Sequence, residues 1–208
     1  MTDIEPIAWT EGGYADPERD LDAASVAEMA HQSAHLLHQH GLRAGGRLAV
    51  VDGVGPSLPA VLGTLAAWSL GARVCVEPGD ADVAFAPTGH ALDADPARRV
   101  VRYGGDPPPD AIGFERHLWG ENTVPPPESV GPETPAVDGV DHATVAAAAR
   151  AVAAESDAEH VTIEGSIDGP AALVAACAVP VVAGRWVGPE GTPIDRERVE
   201  RALDEASG

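Results

Sequence analysis

Between Gly104 and Gly139 prolines fall at 107 to 109, 125 to 127, 132 and 135. Each removes a backbone donor and fixes φ, so every possible helix or sheet ladder there is expected to be interrupted. The stretch also exceeds the usual length of a structureless connection, which marks it as a linker between two lobes or the remnant of a functional segment. It divides the chain into a first lobe over residues 1–104, a connection over 105–138 and a second lobe over 139–208, stacked as one domain. With 208 residues and 44% apolar content, such a chain can bury a real core.

Both flanks read as alternating helix and strand. Ser25-Val-Ala-Glu28 has capping-box spacing, and Val26, Met29, Ala30, Ser33, Leu36 and Leu37 recur at the helical period, predicting a helix from Ser25 to His40 that Gly41 stops. Arg47 to Val51 reads as a buried strand, Ser57 to Leu70 as an apolar helix, and Arg73 to Glu77 as a second buried strand. Asp82 to Ala86 and Arg99 to Tyr103 add two short strands. Beyond the prolines, the pattern predicts a helix over His142 to Glu155, a strand over His160 to Glu164 and a helix over Pro170 to Val179. A strand over Val181 to Val187 and a charged amphipathic helix over Asp195 to Ala206 follow. The expected class is α/β, with parallel sheets flanked by helices.

Asp and Glu number 33 against 13 basic residues, giving a formal charge of −20, and every basic residue is arginine. The absence of lysine excludes a Schiff-base amine, a lysine base and the phosphate loop that ends in lysine. Nucleic acid and anionic membrane surfaces are excluded as partners, since both are held by clustered cations. So acidic a chain repels itself unless salt screens it, and at molar ionic strength the Debye length falls to roughly 3 Å. The composition is therefore expected to be an adaptation to high salt. MTDIEPIAWT has no basic region leading into an apolar core, and no apolar run approaches membrane-spanning length. Cys75 and Cys177 lack a CxxC partner and read as buried thiols, so a cytoplasmic location is expected.

Three constellations could carry chemistry. His31, His35 and His38 stand at i, i+4 and i+7, a spacing that can present imidazoles to one metal ion, with His40 nearby. On the helical wheel they lie opposite Met29, Leu36 and Leu37, so a solvated polar face is the expected reading. Asp52-Gly53-Val-Gly55-Pro-Ser57 between a strand and a helix, with Glu77 ending the next strand, imitates a dinucleotide or S-adenosylmethionine turn. The third glycine position holds Leu58. An S-adenosylmethionine-dependent methyltransferase or nucleotide oxidoreductase using Gly53, Gly55, Ser57 and Glu77 is thus an alternative, and a ligand-free interaction module is another. The pairs Asp80/Asp82 and Asp93/Asp95 read as solvated loop charge rather than ion ligands.

Ser25-Val-Ala-Glu-Met-Ala, Gly41-Leu-Arg-Ala-Gly-Gly-Arg-Leu-Ala-Val50 and Leu62-Gly-Thr-Leu-Ala-Ala-Trp-Ser-Leu-Gly-Ala-Arg-Val-Cys-Val-Glu-Pro78 resemble the N-terminal region of AMP-forming acyl-CoA synthetases and adenylation domains. In that family a helix leads into a Gly-Leu-x-x-Gly-Asp-Arg-Val-Ala-Val strand, and a helix ending Leu-Lys-Ala-Gly-Ala follows. Gly139-Val-Asp-His142-Ala-Thr is similar to the family's Gly-Val-x-x-Thr-His helix start. Leu173 to Gly184 resembles its helix ending Pro-Leu-Leu-x-Gly, and Ile194-Asp-Arg-Glu its Phe-Asp-Pro-Glu helix.

The resemblance implies the family's N-terminal fold and, at His142, Ser166, Asp168 and Gly169, positions facing an acyl or nucleotide ligand. It also implies what is replaced. The family's Ser/Thr/Gly-rich loop ending Pro-Lys-Gly corresponds to Gly131-Pro-Glu-Thr-Pro-Ala-Val-Asp-Gly139, and its Pro-x-x-His to Ser166-Ile-Asp-Gly169. The Tyr-Gly-x-Thr-Glu segment and the lysine-bearing C-terminal domain are expected beyond residue 208. A member of this kind is expected to be a degenerate acid–thiol ligase relative that binds ATP, AMP or CoA without forming an adenylate. It is expected to self-associate or to support a complete ligase.

Overall fold

The computed structural model describes residues 12–15, 20–52, 57–93 and 95–208. Among these described residues, twelve strands form two mixed sheets. The larger has the order β7-β6-β5-β3-β4-β8-β9, from β3 (Arg47–Val50), β4 (Arg73–Cys75), β5 (Val83–Pro87), β6 (Arg99–Tyr103), β7 (Ile112–Gly113), β8 (Pro135–Val137) and β9 (Val140–Asp141). All its pairings are parallel except β8 with β9. The smaller, of order β12-β10-β11-β1-β2, contains β1 (Gly13–Ala15), β2 (Asp20–Asp22), β10 (His160–Thr162), β11 (Trp186–Val187) and β12 (Thr192–Pro193). The N-terminal strands thus complete the sheet of the C-terminal segment, β1 lying parallel to β11, while β8 and β9 extend the first sheet.

α1 (Ala23–Gln39) buries the stripe read from the sequence, including Val26, Met29, Leu36 and Leu37. It begins earlier than the capping-box reading, because the Asp22 carboxylate accepts the Ser25 N–H at 2.9 Å. Asp22 is therefore the cap and Ser25 lies inside the first turn. α2 (Leu58–Ser69) is capped by Ser57 and buried almost all round, as befits a helix that packs on α1 and on β3, β4 and β5. Gly63 permits its closest approach to the sheet, since a Cβ there would lie 2.9 Å from Phe85 Cδ1.

The proline-rich segment is more ordered than its composition suggests. It contains β7, β8 and the short α3 (Phe114–Leu118), whose Phe114 and Leu118 are buried; Phe114 meets Phe85 edge to face at 5.0 Å. The intervals between prolines are long enough for one helical turn or one short strand each.

α4 (His142–Ala153) packs against α7 (Arg196–Ser207). Between them α5 (Pro170–Leu173), a π-helical turn (Val174–Ala178) and α6 (Val179–Ala183) form one continuous buried rod. Pro180 has no N–H to return to the Ala176 carbonyl, which accounts for the widened turn. The helix runs on through Val181 and Val182 to Gly184, whose φ of 62° closes it. The strand expected over Val181 to Val187 is thereby corrected to Trp186–Val187 alone. Burial of Val179 and Val181, with Val182 partly covered, lets these valines continue a helix despite their strand preference.

Candidate functional site

Parallel α/β sheets gather ligands at the carboxyl ends of their strands. Here β3 ends on Val50, and Val51 and Asp52 follow it. Asp52 is buried at 8% exposure, and its Oδ2 accepts the Ser57 N–H at 2.7 Å. The Tyr103 hydroxyl at the end of β6 donates to the Val51 carbonyl at 2.7 Å and lies 3.2 Å from Asp52 Oδ1. Burial pushes the Tyr103 phenol well above its ordinary range, with the Asp52 charge adding to the shift. Ser57 Oγ accepts the Ala60 N–H. At the start of α2 the N–H groups of Ser57 and Ala60 are thus engaged by the protein's own oxygens, one of them a carboxylate. Of the proposed cofactor turn, Gly53 and Gly55 lie outside the described residues, Ser57 acts as the helix cap, and Glu77 is exposed with its carbonyl accepting the Cys75 thiol at 3.2 Å.

Across the sheet, residues 131–142 form a tight internal turn. Gly131 N–H donates to Thr134 Oγ1 at 3.0 Å, and Thr134 N–H donates to the Gly131 carbonyl at 3.1 Å. The Thr134 carbonyl receives the His142 N–H at 3.0 Å, and the Pro132 carbonyl receives the Ala143 N–H at 2.9 Å. Asp138 is paired with Arg47 at 2.6 Å and approaches Arg73 at 3.9 Å. Burial of the His142 imidazole, reduced to 4% exposure, pushes its pKa down to about 4, Asp141 opposing weakly. Neither ring nitrogen has a hydrogen-bond partner, and the ring rests edge-on against Trp68.

Ser166, Asp168 and Gly169 precede α5. Arg196 at the start of α7 draws the first two together, donating to the Ser166 carbonyl at 3.4 Å and pairing with the Asp168 carboxylate. Arg196 was not singled out in the sequence, because a lone arginine in an amphipathic helix carries no signal of its partner thirty positions upstream. Tyr103 was likewise read only as the end of a strand.

The histidine face of α1 is not a free polar surface. His31 Nδ1 lies 3.0 Å from the Thr123 carbonyl and His35 Nε2 lies 2.9 Å from the Val124 carbonyl. His38 faces Glu128 at 3.9 Å, and Gln39 donates to Glu121 at 2.6 Å. The solvated reading is corrected: the proline-rich segment lies over this face and gives each imidazole an oxygen partner. Among the described residues, no three His, Cys, Asp or Glu side chains are grouped to hold a metal ion. Cys75 and Cys177 are both buried free thiols, and burial pushes Cys177 up to about 12, so neither is a ready nucleophile.

No protein-family model and no curated protein matches the sequence. Solved structures do. A Brucella canis acyl-CoA synthetase superposes with a TM-score of 0.67 at 14% identity, over 86% of this chain and 39% of the other. The N-terminal domain of FACL13 from Mycobacterium tuberculosis superposes at 0.64 and 16%, over 94% and 56%. The chain has the acyl-CoA synthetase N-terminal fold. An anthranilate CoA ligase, AuaEII, crystallised with anthranoyl-AMP, gives 0.66 and 14% over 88% of this chain and 42% of that one. The chain therefore spans less than half the length of several ligases that share its fold. The resemblance read from the motifs at 25–78 and 139–197 agrees with this architecture. Among the described residues, no helix of the ligase fold seen here is long and apolar enough to cross a membrane.

Proposed function

We propose that this chain is a degenerate member of the adenylate-forming ligase group that does not make an acyl-adenylate unaided. Its role is to hold a nucleotide or acyl ligand beside a complete ligase. The observation that carries the reading is the state of residues 131–142. In the position that resembles the phosphate loop, Pro132 and Pro135 have no N–H, Gly131 and Thr134 spend theirs on each other, and Glu133 is exposed. A triphosphate does not fit such a segment: it needs converging N–H donors and a cation, and finds a carboxylate. The sequence carries no lysine that could supply that cation.

Thermal shift in molar salt tests the ligand side of the proposal. AMP, ATP with magnesium, and CoA are compared, each site-filling ligand adding about 2.7 kcal/mol at a hundredfold excess over its dissociation constant. AMP or CoA is expected to stabilise the chain and ATP with magnesium to add nothing beyond AMP. A larger shift with ATP and magnesium than with AMP contradicts the reading.

A further inference from the structure

Parallel strands are usually joined by a helix that also covers the sheet. Here residues 76–82 join β4 to β5, and residues 88–98 join β5 to β6, without a helix among their described residues. The first connection lies directly on the sheet, where Ala81 packs with Ala49 and Cys75 as a separate small core. Beside the second, a cleft of about 1110 Å³ opens between the end of α1, the amino end of β6 and residues 110–112.

Arg98, Arg99 and Arg102, three of the chain's 13 basic residues, line this cleft. Among the described residues, none of the three is in an ion pair, whereas Arg47, Arg73, Arg196 and Arg198 all are. Arg98 is 8% exposed; it donates to the Pro78 carbonyl at 2.9 Å and to the Asp93 carbonyl. Arg102 is half-buried and donates to the Pro87 carbonyl at 3.0 Å. The Nε of each has no acceptor. Arg98 has thus been withdrawn from water with only neutral carbonyls as partners, and Arg102 has one carbonyl and the nearby Asp110 charge, in a chain of charge −20. Such a charge is stabilised most by an anion that returns what desolvation removed. His40, at the same wall, is pushed down first by burial and then by the neighbouring His117 and Arg99, Glu121 opposing.

Among the described residues four carboxylates also line the cleft, and two are already engaged. Asp82 accepts the Arg47 N–H at 2.9 Å and Asp95 accepts the Ala97 N–H at 2.9 Å. Asp93 and Asp110 remain for hydroxyl groups of a ligand. We propose that this cleft binds a phosphate monoester on a small hydroxylated body, with Arg99 and Arg102 donating to the phosphoryl oxygens and Arg98 forming the wall. Planar guanidinium forks match phosphoryl oxygens in geometry as well as charge. The volume exceeds what an inorganic anion fills. The site begins at the amino ends of β5 and β6, away from the carboxyl end of β3, and stands independently of the proposed ligase-derived role.

The test is titration of the full chain with glycerol 3-phosphate, inorganic phosphate and glycerol, followed by phosphorus NMR and calorimetry in the lowest salt that keeps it folded. Glycerol 3-phosphate is expected to bind more tightly than inorganic phosphate, and glycerol not to bind. R99Q and R102Q are each expected to weaken binding about tenfold, the loss of one charge-assisted contact. Arg99 is exposed, so R99Q separates binding from folding. Absence of glycerol 3-phosphate binding, or binding that neither arginine variant diminishes, overturns the site. Equal affinity for inorganic phosphate overturns the organic body.

Discussion

The indole of Trp68 and the imidazole of His142 meet edge to face, with ring centroids 5.9 Å apart and planes at 73°. Trp68 Nε1 donates to the Ala136 carbonyl at 2.8 Å, and the backbone of His142 donates to the Thr134 carbonyl. The pair therefore ties the end of α2 to the start of α4 across β8. It does so with a histidine held in its neutral form.

That neutrality makes stability depend on acid. The folded pKa of about 4 lies below the ordinary value of 6.5, so below pH 6.5 the unfolded chain binds the extra proton more readily. The contribution is full above pH 6.5 and is lost as the pH falls towards 4, amounting to about 3 kcal/mol at most. Denaturant midpoints measured from pH 7 to pH 4 should fall steeply for the native chain. H142F should fall less steeply, because the buried ring no longer responds and only His40 and the carboxylates remain to do so. Parallel slopes for the two proteins contradict this account of the ring.

The histidines of α1 should act as a clamp on the proline-rich segment. Replacing His31 and His35 together by alanine removes the contacts to the Thr123 and Val124 carbonyls. Global stability should drop by about 1–2 kcal/mol, two ordinary net hydrogen bonds. Amide exchange should rise selectively over residues 119–128, read by mass spectrometry. Unchanged exchange there would show that the prolines alone hold the segment.

Tyr103 and Asp52 should be coupled energetically. Y103F leaves the Val51 carbonyl without its donor and should cost about 1–3 kcal/mol in chemical denaturation. D52N should cost a comparable amount, and the double variant less than the sum, since the two groups share one network. Strict additivity excludes the shared network.

Much of the architecture is legible in the sequence because it rests on local signals. The apolar stripe of α1, the buried strand β3 and the apolar run of α2 follow from hydrophobic period. What escapes is what depends on distant chain. Val181 and Val182 look like strand, yet complete a buried helix across Pro180. The polar face of α1 looks solvated until residues 121–128 arrive from about ninety positions away. The Tyr103–Asp52 and Arg196–Asp168 contacts each join groups far apart in the chain, and no local spacing signals the pairing.

Salt should decide whether the chain folds at all. At charge −20 the compact state is self-repelling, and few arginines are free to offset it. Unfolding followed by circular dichroism should show a midpoint that rises continuously between 0.1 and roughly 2 M salt, where screening shortens to a few ångströms. Equal stability across that range contradicts the adaptation to high salt.

Pyrophosphate release shows whether the chain forms an acyl-adenylate unaided. Purified chain incubated in molar salt with ATP, magnesium, CoA and a panel of carboxylic acids should release no AMP or pyrophosphate above the uncatalysed background. Acid-dependent release by the chain alone, abolished when the acid is omitted, would contradict the account.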